Sequence, residues 1–326
     1  SMTLHPKLAI FASFIAAIQF SGAYGLWLAE DANLVITNLN SITWTDIILK
    51  SVIFIMMGYT AMVIAKRSRS ILERVTRQVS YKEKLSYVEK EIGLAADIQN
   101  KLIPELDINL DSFDIQMYYQ PAQQVGGDYY DVIQRQDGSL FVIIADVSGK
   151  GYSAALLMSN IQAVVRTLIH QQSNLENLVE LLNMSLINAS VQGRFVSLIV
   201  MDIDPVNHRL TYINCGHNPP LIKQDSIIIE LDVATPVLGV LDDYVSIEKS
   251  IDFHPNDVLF AYTDGVSELY NPEGQQLGME PIKAILNEYN PAANNNLKDE
   301  ILQSLTNHMQ DEIAHDDISF VLVKQS

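Results

Sequence analysis

From Leu8 to Ala29 the chain runs for 22 residues without a charged side chain, bracketed by Lys7 and Glu30. At about 1.5 Å per residue, a helix of that length crosses a hydrocarbon layer of roughly 30 Å. A second apolar run of 19 residues, Ile47 to Ala65, is broken only by Lys50 near one end. From there the ammonium group can snorkel to the interface. The stretch between them, Glu30 to Asp46, is polar and carries Asn33, Thr37, Asn38, Asn40 and Trp44, the last suited to a membrane interface. Lys66, Arg67, Arg69, Arg74 and Arg77 follow the second run at once. By the positive-inside rule this end and Lys7 face the cytoplasm, and the polar loop lies outside. The expectation is a membrane hairpin over residues 1–66, with spans near 8–29 and 47–65. A buried helical hairpin of a soluble protein is the alternative, and the first run is too long for a signal peptide.

On the first run Ala17, Ser21 and Gly25 recur every four residues, a spacing of small side chains that lets transmembrane helices approach closely. Between Arg67 and Leu102 there is no proline and one glycine, Gly93, so the stretch reads as a long charged helix. Its apolar residues Leu72, Val75, Val79, Leu85, Val88, Ile92 and Ala95 are spaced by 3, 4, 6, 3, 4 and 3 positions. Two heptad-like segments joined by a step one residue short predict a coiled coil with a register break, able to pass rotation or stretch along the helix. A helix packed on the following domain is the alternative. Either way residues 67–104 form a connector.

Charge divides the chain as well. The first hundred residues carry a net +2 and the remainder −20, together the −18 of the whole. So acidic a segment repels nucleic-acid phosphates, which excludes a DNA- or RNA-binding role. The single cysteine, Cys215, forms no intrachain disulfide and points to a reducing compartment.

Beyond Leu106 the texture changes to short strands and turns. Phe113–Tyr119, Leu140–Asp146, Phe195–Asp202, Leu210–Asn214 and Val258–Thr263 read as strands, and Ser153–His170, Leu175–Ala189, Met279–Asn287 and Leu297–Met309 as helices. Strands in succession with helices inserted between them predict an α+β sandwich rather than repeated βαβ units. Acidic clusters sit at the strand ends: Gly126-Gly127-Asp128-Tyr129-Tyr130-Asp131, Asp146-Val147-Ser148-Gly149-Lys150-Gly151, Thr263-Asp264-Gly265 and Asp316-Asp317-Ile318-Ser319. Each alone is an ordinary turn. The second lacks the spacing of a nucleotide P-loop. Carboxylates ending hydrophobic strands are costly to desolvate unless a cation or partner compensates. An oxygen-only set favours Mg²⁺ or Mn²⁺ over zinc.

Taken in order, these motifs resemble the bacterial SpoIIE-type branch of the PPM (type 2C-like) serine/threonine phosphatases. The resemblance runs from about Gly93 to Val323, through Leu94–Pro104, the two glycine-aspartate clusters and Phe195-Val196-Ser197-Leu198. It continues through Cys215-Gly216-His217-Asn218-Pro219-Pro220-Leu221, Pro236-Val237-Leu238-Gly239-Val240, Tyr262–Glu268 and Asp316–Ser319. It implies two stacked antiparallel β-sheets flanked by helices over residues 105–326. It also implies metal-binding Asp128, Asp146, Asp264 and Asp316, with the Val147 carbonyl as a backbone ligand and Asp146 bridging two Mn²⁺ or Mg²⁺ ions about 3.5–4 Å apart. Hydroxide then attacks phosphorus in line, without a phosphoenzyme. Asp131, Asp317, Lys150 and Gly265 are expected beside this set, Asp131 and Asp317 as supporting acids or alternates. His217 reads as a turn histidine bonded to backbone. No arginine matches the phosphate-binding arginine of eukaryotic relatives, no histidine follows Asp146, and the general acid is left open.

For partners, the resemblance implies a phosphorylated anti-sigma-factor antagonist of the STAS type as substrate. It further implies a homodimer through the helix ahead of the core, and the apolar runs with their basic flank place the chain at a bacterial plasma membrane with the phosphatase domain cytoplasmic. The rival readings are a catalytically silent phosphoprotein scaffold, against which all four aspartates stand, and a two-metal nucleotide enzyme, for which no base- or ribose-binding fingerprint exists.

Overall fold

A computed structural model describes residues 44–104, 107–110, 112–170, 174–189, 193–290, 296–310 and 312–325, with scattered positions between 11 and 23. It separates into two compact units, Ser1–Lys90 and Glu91–Ser326.

The first unit is dominated by helix α1 (Trp44–Asn100), which continues into the second. Ile48, Leu49, Val52, Ile53, Ile55, Met56 and Met57 are exposed on it, and the helix is long and apolar enough to cross a membrane. It is the one such helix among the described residues. The expected first span, with Ala17, Ser21 and Gly25, falls outside the described residues apart from those scattered helical positions. The charged stretch is not a separate helix: α1 passes through the register step unbroken, with Leu72, Val75, Val79, Leu85 and Val88 exposed.

In the second unit the strands are β1 (Asp107–Leu110), β2 (Phe113–Gln120), β3 (Tyr129–Gln134), β4 (Leu140–Val147), β5 (Val196–Asp204), β6 (Arg209–Cys215), β7 (Leu221–Gln224), β8 (Ile227–Glu230), β9 (Lys249–Asp252), β10 (Val258–Tyr262) and β11 (Ile318–Gln325). The helices are α2 (Tyr152–Leu168), α3 (Leu175–Asn188), the short α4 (Asp264–Ser267), α5 (Glu280–Glu288) and α6 (Leu297–Met309). One sheet has the order β1-β2-β11-β10-β7-β8 and the other β3-β4-β5-β6-β9, every neighbouring pair antiparallel. The α+β expectation of two antiparallel sheets with flanking helices holds.

Side-chain alternation builds the layers, because successive residues of a strand point to opposite faces. On β4, Phe141, Ile143, Ala145 and Val147 pack with Ala154, Met158 and Ile161 of α2 and Leu178, Val179 and Leu182 of α3. Its Leu140, Val142 and Ile144 pack between the sheets, against Leu259 and Ala261 of β10 and Val321 and Val323 of β11. On the far side, Val258, Phe260, Tyr262, Phe320 and Leu322 meet Ile282, Leu286, Ile301 and Leu305 of α5 and α6. Each fully buried side chain of this size stabilises by about 1.5–3 kcal/mol, so three apolar layers fix which face each strand residue takes. The alternation places Asp146 and Thr263 on the inter-sheet faces, at the ends of their strands.

Candidate active site

Register brings the acidic clusters to one end of the sandwich. Tyr262, two residues before Asp264, pairs with Phe320, just after the Asp316–Ser319 cluster. Tyr129 pairs with Ala145, and Asp146 with Ser197 on β5. The segment joining β2 to β3 crosses from one sheet to the other at this end, and it carries Gly126-Gly127-Asp128.

Asp128 is buried, at 3% exposure. Its Oδ2 accepts hydrogen bonds from the Thr263 hydroxyl at 2.8 Å and the Ser319 hydroxyl at 2.5 Å. Asp317 serves the backbone instead. Its Oδ2 accepts the Gly127 amide at 2.6 Å, its Oδ1 accepts the Ala122 amide at 2.8 Å, and the Asp128 amide lies 3.5 Å from Oδ2. Asp317 thereby holds the crossing segment to β11. Gly265 lets the Asp264 turn lie against that strand, because a Cβ there would strike the Asp317 carbonyl. At Gly127 a Cβ would come within 3.3 Å of the Val147 carbonyl oxygen, so the Val147 carbonyl borders the glycine next to Asp128.

The electrostatics are those of carboxylates crowded together. Burial, then the charges of Asp146 and Asp317, push Asp128 well above the usual carboxylate range, against the two hydroxyl bonds. Burial, followed by Asp264, Asp316 and Asp317, raises Asp146 to about 7. Asp264 is raised by burial and then by Asp316. Burial also raises Asp317, opposed by the amides it accepts. Lys150 answers part of this charge: its Nζ lies 2.7 Å from Asp316 Oδ2 and donates to the His315 carbonyl at 2.6 Å.

Among the described residues, no three His, Cys, Asp or Glu side chains close around a point as a finished cage. The donor set nonetheless fits hard divalent cations: four mutually repelling carboxylates and a backbone carbonyl, without sulfur or imidazole.

One expected neighbour is elsewhere. Asp131 is fully buried but faces α2, where Arg166 donates to both its oxygens at 2.7 and 2.8 Å and the Tyr129 hydroxyl donates at 3.0 Å. Asp131 lies on β3 two residues after Tyr129, which packs in the α2 layer, so the strand alternation turns it to that face. As a supporting acid or alternate for Asp128 it is therefore corrected to a structural anchor of α2.

Three contributors had no role in the sequence reading. Arg194 donates to the Ser148 carbonyl and, at 2.7 Å, to the Ser153 hydroxyl, so its guanidinium spans the glycine-rich loop after Asp146. Gln99, buried at 5% exposure near the end of α1, donates to the Gly126 carbonyl at 2.7 Å and accepts the Gly126 amide at 3.2 Å. The third is the Thr263–Ser319 hydroxyl pair on Asp128. A separate depression of about 590 Å³, lined by Lys223, Asp225, Asn256 and Asp257 among others, lies at the opposite end of β10 and includes none of the four aspartates.

A family model described as Stage II sporulation protein E (SpoIIE) matches residues 136–326. Phosphoserine phosphatase RsbU of Bacillus subtilis (strain 168) is 28% identical over 244 residues, 73% of this chain and 71% of RsbU. Phosphoserine phosphatase RsbP of the same organism is 28% identical over 245 residues, 72% of this chain and 58% of RsbP. Among solved structures, the SiaA-PP2C domain of Pseudomonas aeruginosa superposes with a TM-score of 0.63 at 16% identity, covering 74% of this chain and 98% of that one.

Proposed function

Because this chain belongs to the SpoIIE family, we propose that its C-terminal unit is a metal-dependent protein phosphatase acting on phosphoserine or phosphothreonine of a signalling protein. The carrying observation is the convergence of Asp128, Asp146, Asp264 and Asp316 at one end of the sandwich, where burial and then the neighbouring carboxylates raise Asp146 to about 7. Carboxylates gathered against their own repulsion are matched by cations, and the four aspartates and the Val147 carbonyl would hold the Mn²⁺ or Mg²⁺ ions. Such ions, when bound, acidify water and neutralise phosphoryl oxygens. The chain's part is preorganisation. Thr263 and Ser319 fix one oxygen of Asp128, Asp317 clamps the amides ahead of it, and Arg194 shapes the loop after Asp146. Lys150, beside Asp316, is placed to meet a phosphate oxygen as the substrate enters.

The similarity to RsbU and RsbP, both named phosphoserine phosphatases, supports the substrate class. For this chain we assign a phosphorylated STAS-type antagonist of an anti-sigma factor. We further assign residues 1–66 to a membrane hairpin, 67–104 to a dimerising connector and 105–326 to the phosphatase, at the cytoplasmic face of a bacterial membrane. The Gln99 bonds to Gly126 supply a route for regulation: a shift of the end of α1 moves the segment carrying Asp128.

The test is phosphate release from the host's phosphorylated STAS-domain proteins, with and without Mn²⁺. Release that requires Mn²⁺ and disappears in Asp264→Asn is expected. Tight binding of the phosphoprotein with no release under any metal condition makes the chain a silent scaffold instead.

A further inference from the structure

His217 follows β6 in the turn Gly216-His217-Asn218-Pro219-Pro220, and its side chain is buried, at 1% exposure. Its backbone amide donates to Asn214 Oδ1 at 2.9 Å, which fixes the turn. The ring reaches two different strands. Nε2 lies 3.1 Å from the Tyr262 carbonyl, and Nδ1 lies 2.9 Å from the Ser197 hydroxyl. A carbonyl only accepts, so in the neutral ring Nε2 carries the proton, and Nδ1 accepts from Ser197. Both ring nitrogens are thereby used, one as donor and one as acceptor.

The two partners belong to different sheets. Ser197 is on β5, in register opposite Asp146. Tyr262 ends β10, two residues before Asp264. The imidazole thus spans the gap between the sheets and ties β5, at the residue opposite Asp146 of β4, to the end of β10 that leads into Asp264. Tyr262 and Thr263 continue directly into the Asp264 turn, and Thr263 also holds Asp128. A displacement of the Tyr262 carbonyl is therefore felt by two of the four aspartates.

We propose that His217 is a positioning residue that sets the separation of the Asp146 and Asp264 carboxylates, and through it the affinity of the site for divalent cations. The proposal rests on reading the aspartate cluster as a metal centre. The His217 ring bonds to the Ser197 hydroxyl and the Tyr262 carbonyl rather than to a carboxylate, so its effect is transmitted through those two groups. Groups that orient metal ligands in this indirect way commonly change affinity by about 10–100-fold.

The experiment is calorimetric titration of the full-length chain with Mn²⁺, for the parent, Ser197→Ala, His217→Ala and His217→Gln. Unfolding in the presence of a chelator checks each fold, and KM is measured on a phosphorylated protein substrate. We expect His217→Ala to weaken Mn²⁺ binding by at least about tenfold and Ser197→Ala by about threefold, with KM for the phosphoprotein unchanged. His217→Gln keeps an N–H for the Tyr262 carbonyl and recovers part of the loss. Folded Ser197→Ala and His217→Ala that both bind Mn²⁺ within about twofold of the parent overturn the proposal. Should His217→Ala not fold, Ser197→Ala decides alone, because it removes a single hydroxyl. A parent chain that binds no Mn²⁺ overturns the metal-centre reading itself, a result distinct from equal binding by parent and variants.

Discussion

Arg194 meets a backbone carbonyl and a hydroxyl on either side of Gly149, so one guanidinium braces the loop that leads from Asp146 into α2. A lysine reaches one of these acceptors as a point charge but cannot span both with a planar fork. Arg194→Ala is therefore expected to lower kcat by about tenfold and raise the Mn²⁺ concentration needed for half-maximal rate, with Arg194→Lys between the two. A metal titration of the rate checks this, and equal curves for all three chains rule it out. His217 carries a pH signature of its own. Burial lowers its pKa from 6.5 to about 4, so the folded state resists a proton that the unfolded chain accepts. The stability contributed by the neutral ring is then full above about pH 6.5 and is lost as the pH falls toward 4, at most about 3 kcal/mol. The raised pKa of Asp146 acts with the opposite sign over the same range, so the comparison is made against His217→Gln. Denaturant midpoints at pH 7 and 4.5 are expected to fall further for the parent than for the variant. The four aspartates were legible as candidates because each is embedded in a motif and the motifs come in order. Thr263 and Ser319 stand in the same motifs and Arg194 just before one of them, yet their roles depend on partners distant in sequence, which spacing does not reveal.

At the level of elements, the end of α1 is joined to the site by two hydrogen bonds between one side chain and one peptide unit, Gln99 with Gly126. Both are buried, and leaving a buried amide and carbonyl unpaired costs about 1–3 kcal/mol each. Gln99→Glu retains an acceptor for the Gly126 amide and loses the donor to the carbonyl, whereas Gln99→Leu loses both at similar volume. Phosphatase rates are expected to fall in the order Gln, Glu, Leu. A Leu variant that unfolds like the parent and keeps its full rate would show that this contact does not reach the site. Strands with a clear apolar run, such as β4 and β10, were readable to within a residue or two of their ends. Strands β3 and β11 were not, because Tyr129-Tyr130-Asp131 and Asp316–Ser319 read first as turn and cluster. The face of each followed only once the sheets were assembled, which is why Asp131 was expected near Asp128 and stands instead against Arg166. The connector likewise read as an element distinct from the second apolar run. Without a proline between them nothing breaks the backbone ladder, and α1 is one helix of 57 residues.

Across the whole molecule, charge and hydropathy are arranged in sequence rather than mixed. The apolar part of α1 is followed by Lys66, Arg67, Arg69, Arg74 and Arg77, and only beyond Asn100 does the chain carry its net −20. Compactness divides it at Lys90 and Glu91, inside α1, where the charge thins out and residues 91–104 include Gln99 and the core-packed Ile103. If the apolar stretch spans a bilayer, the five basic side chains lie at the anionic cytoplasmic surface, where each contributes about 1 kcal/mol. The charge of the acidic unit, by contrast, is repelled by such a surface. The chain is then expected to sediment with membranes, to resist high salt and alkaline carbonate, and to be released by detergent. A C-terminal reporter that fluoresces only in the cytoplasm is expected to be bright on the parent. Replacing the five basic residues with glutamine weakens the orientation signal without touching the apolar run, so membrane association persists while fluorescence falls in a fraction of molecules. Release of the parent by salt alone would return α1 to the alternative of a helix in a soluble protein, and would leave the site on the second unit unaffected.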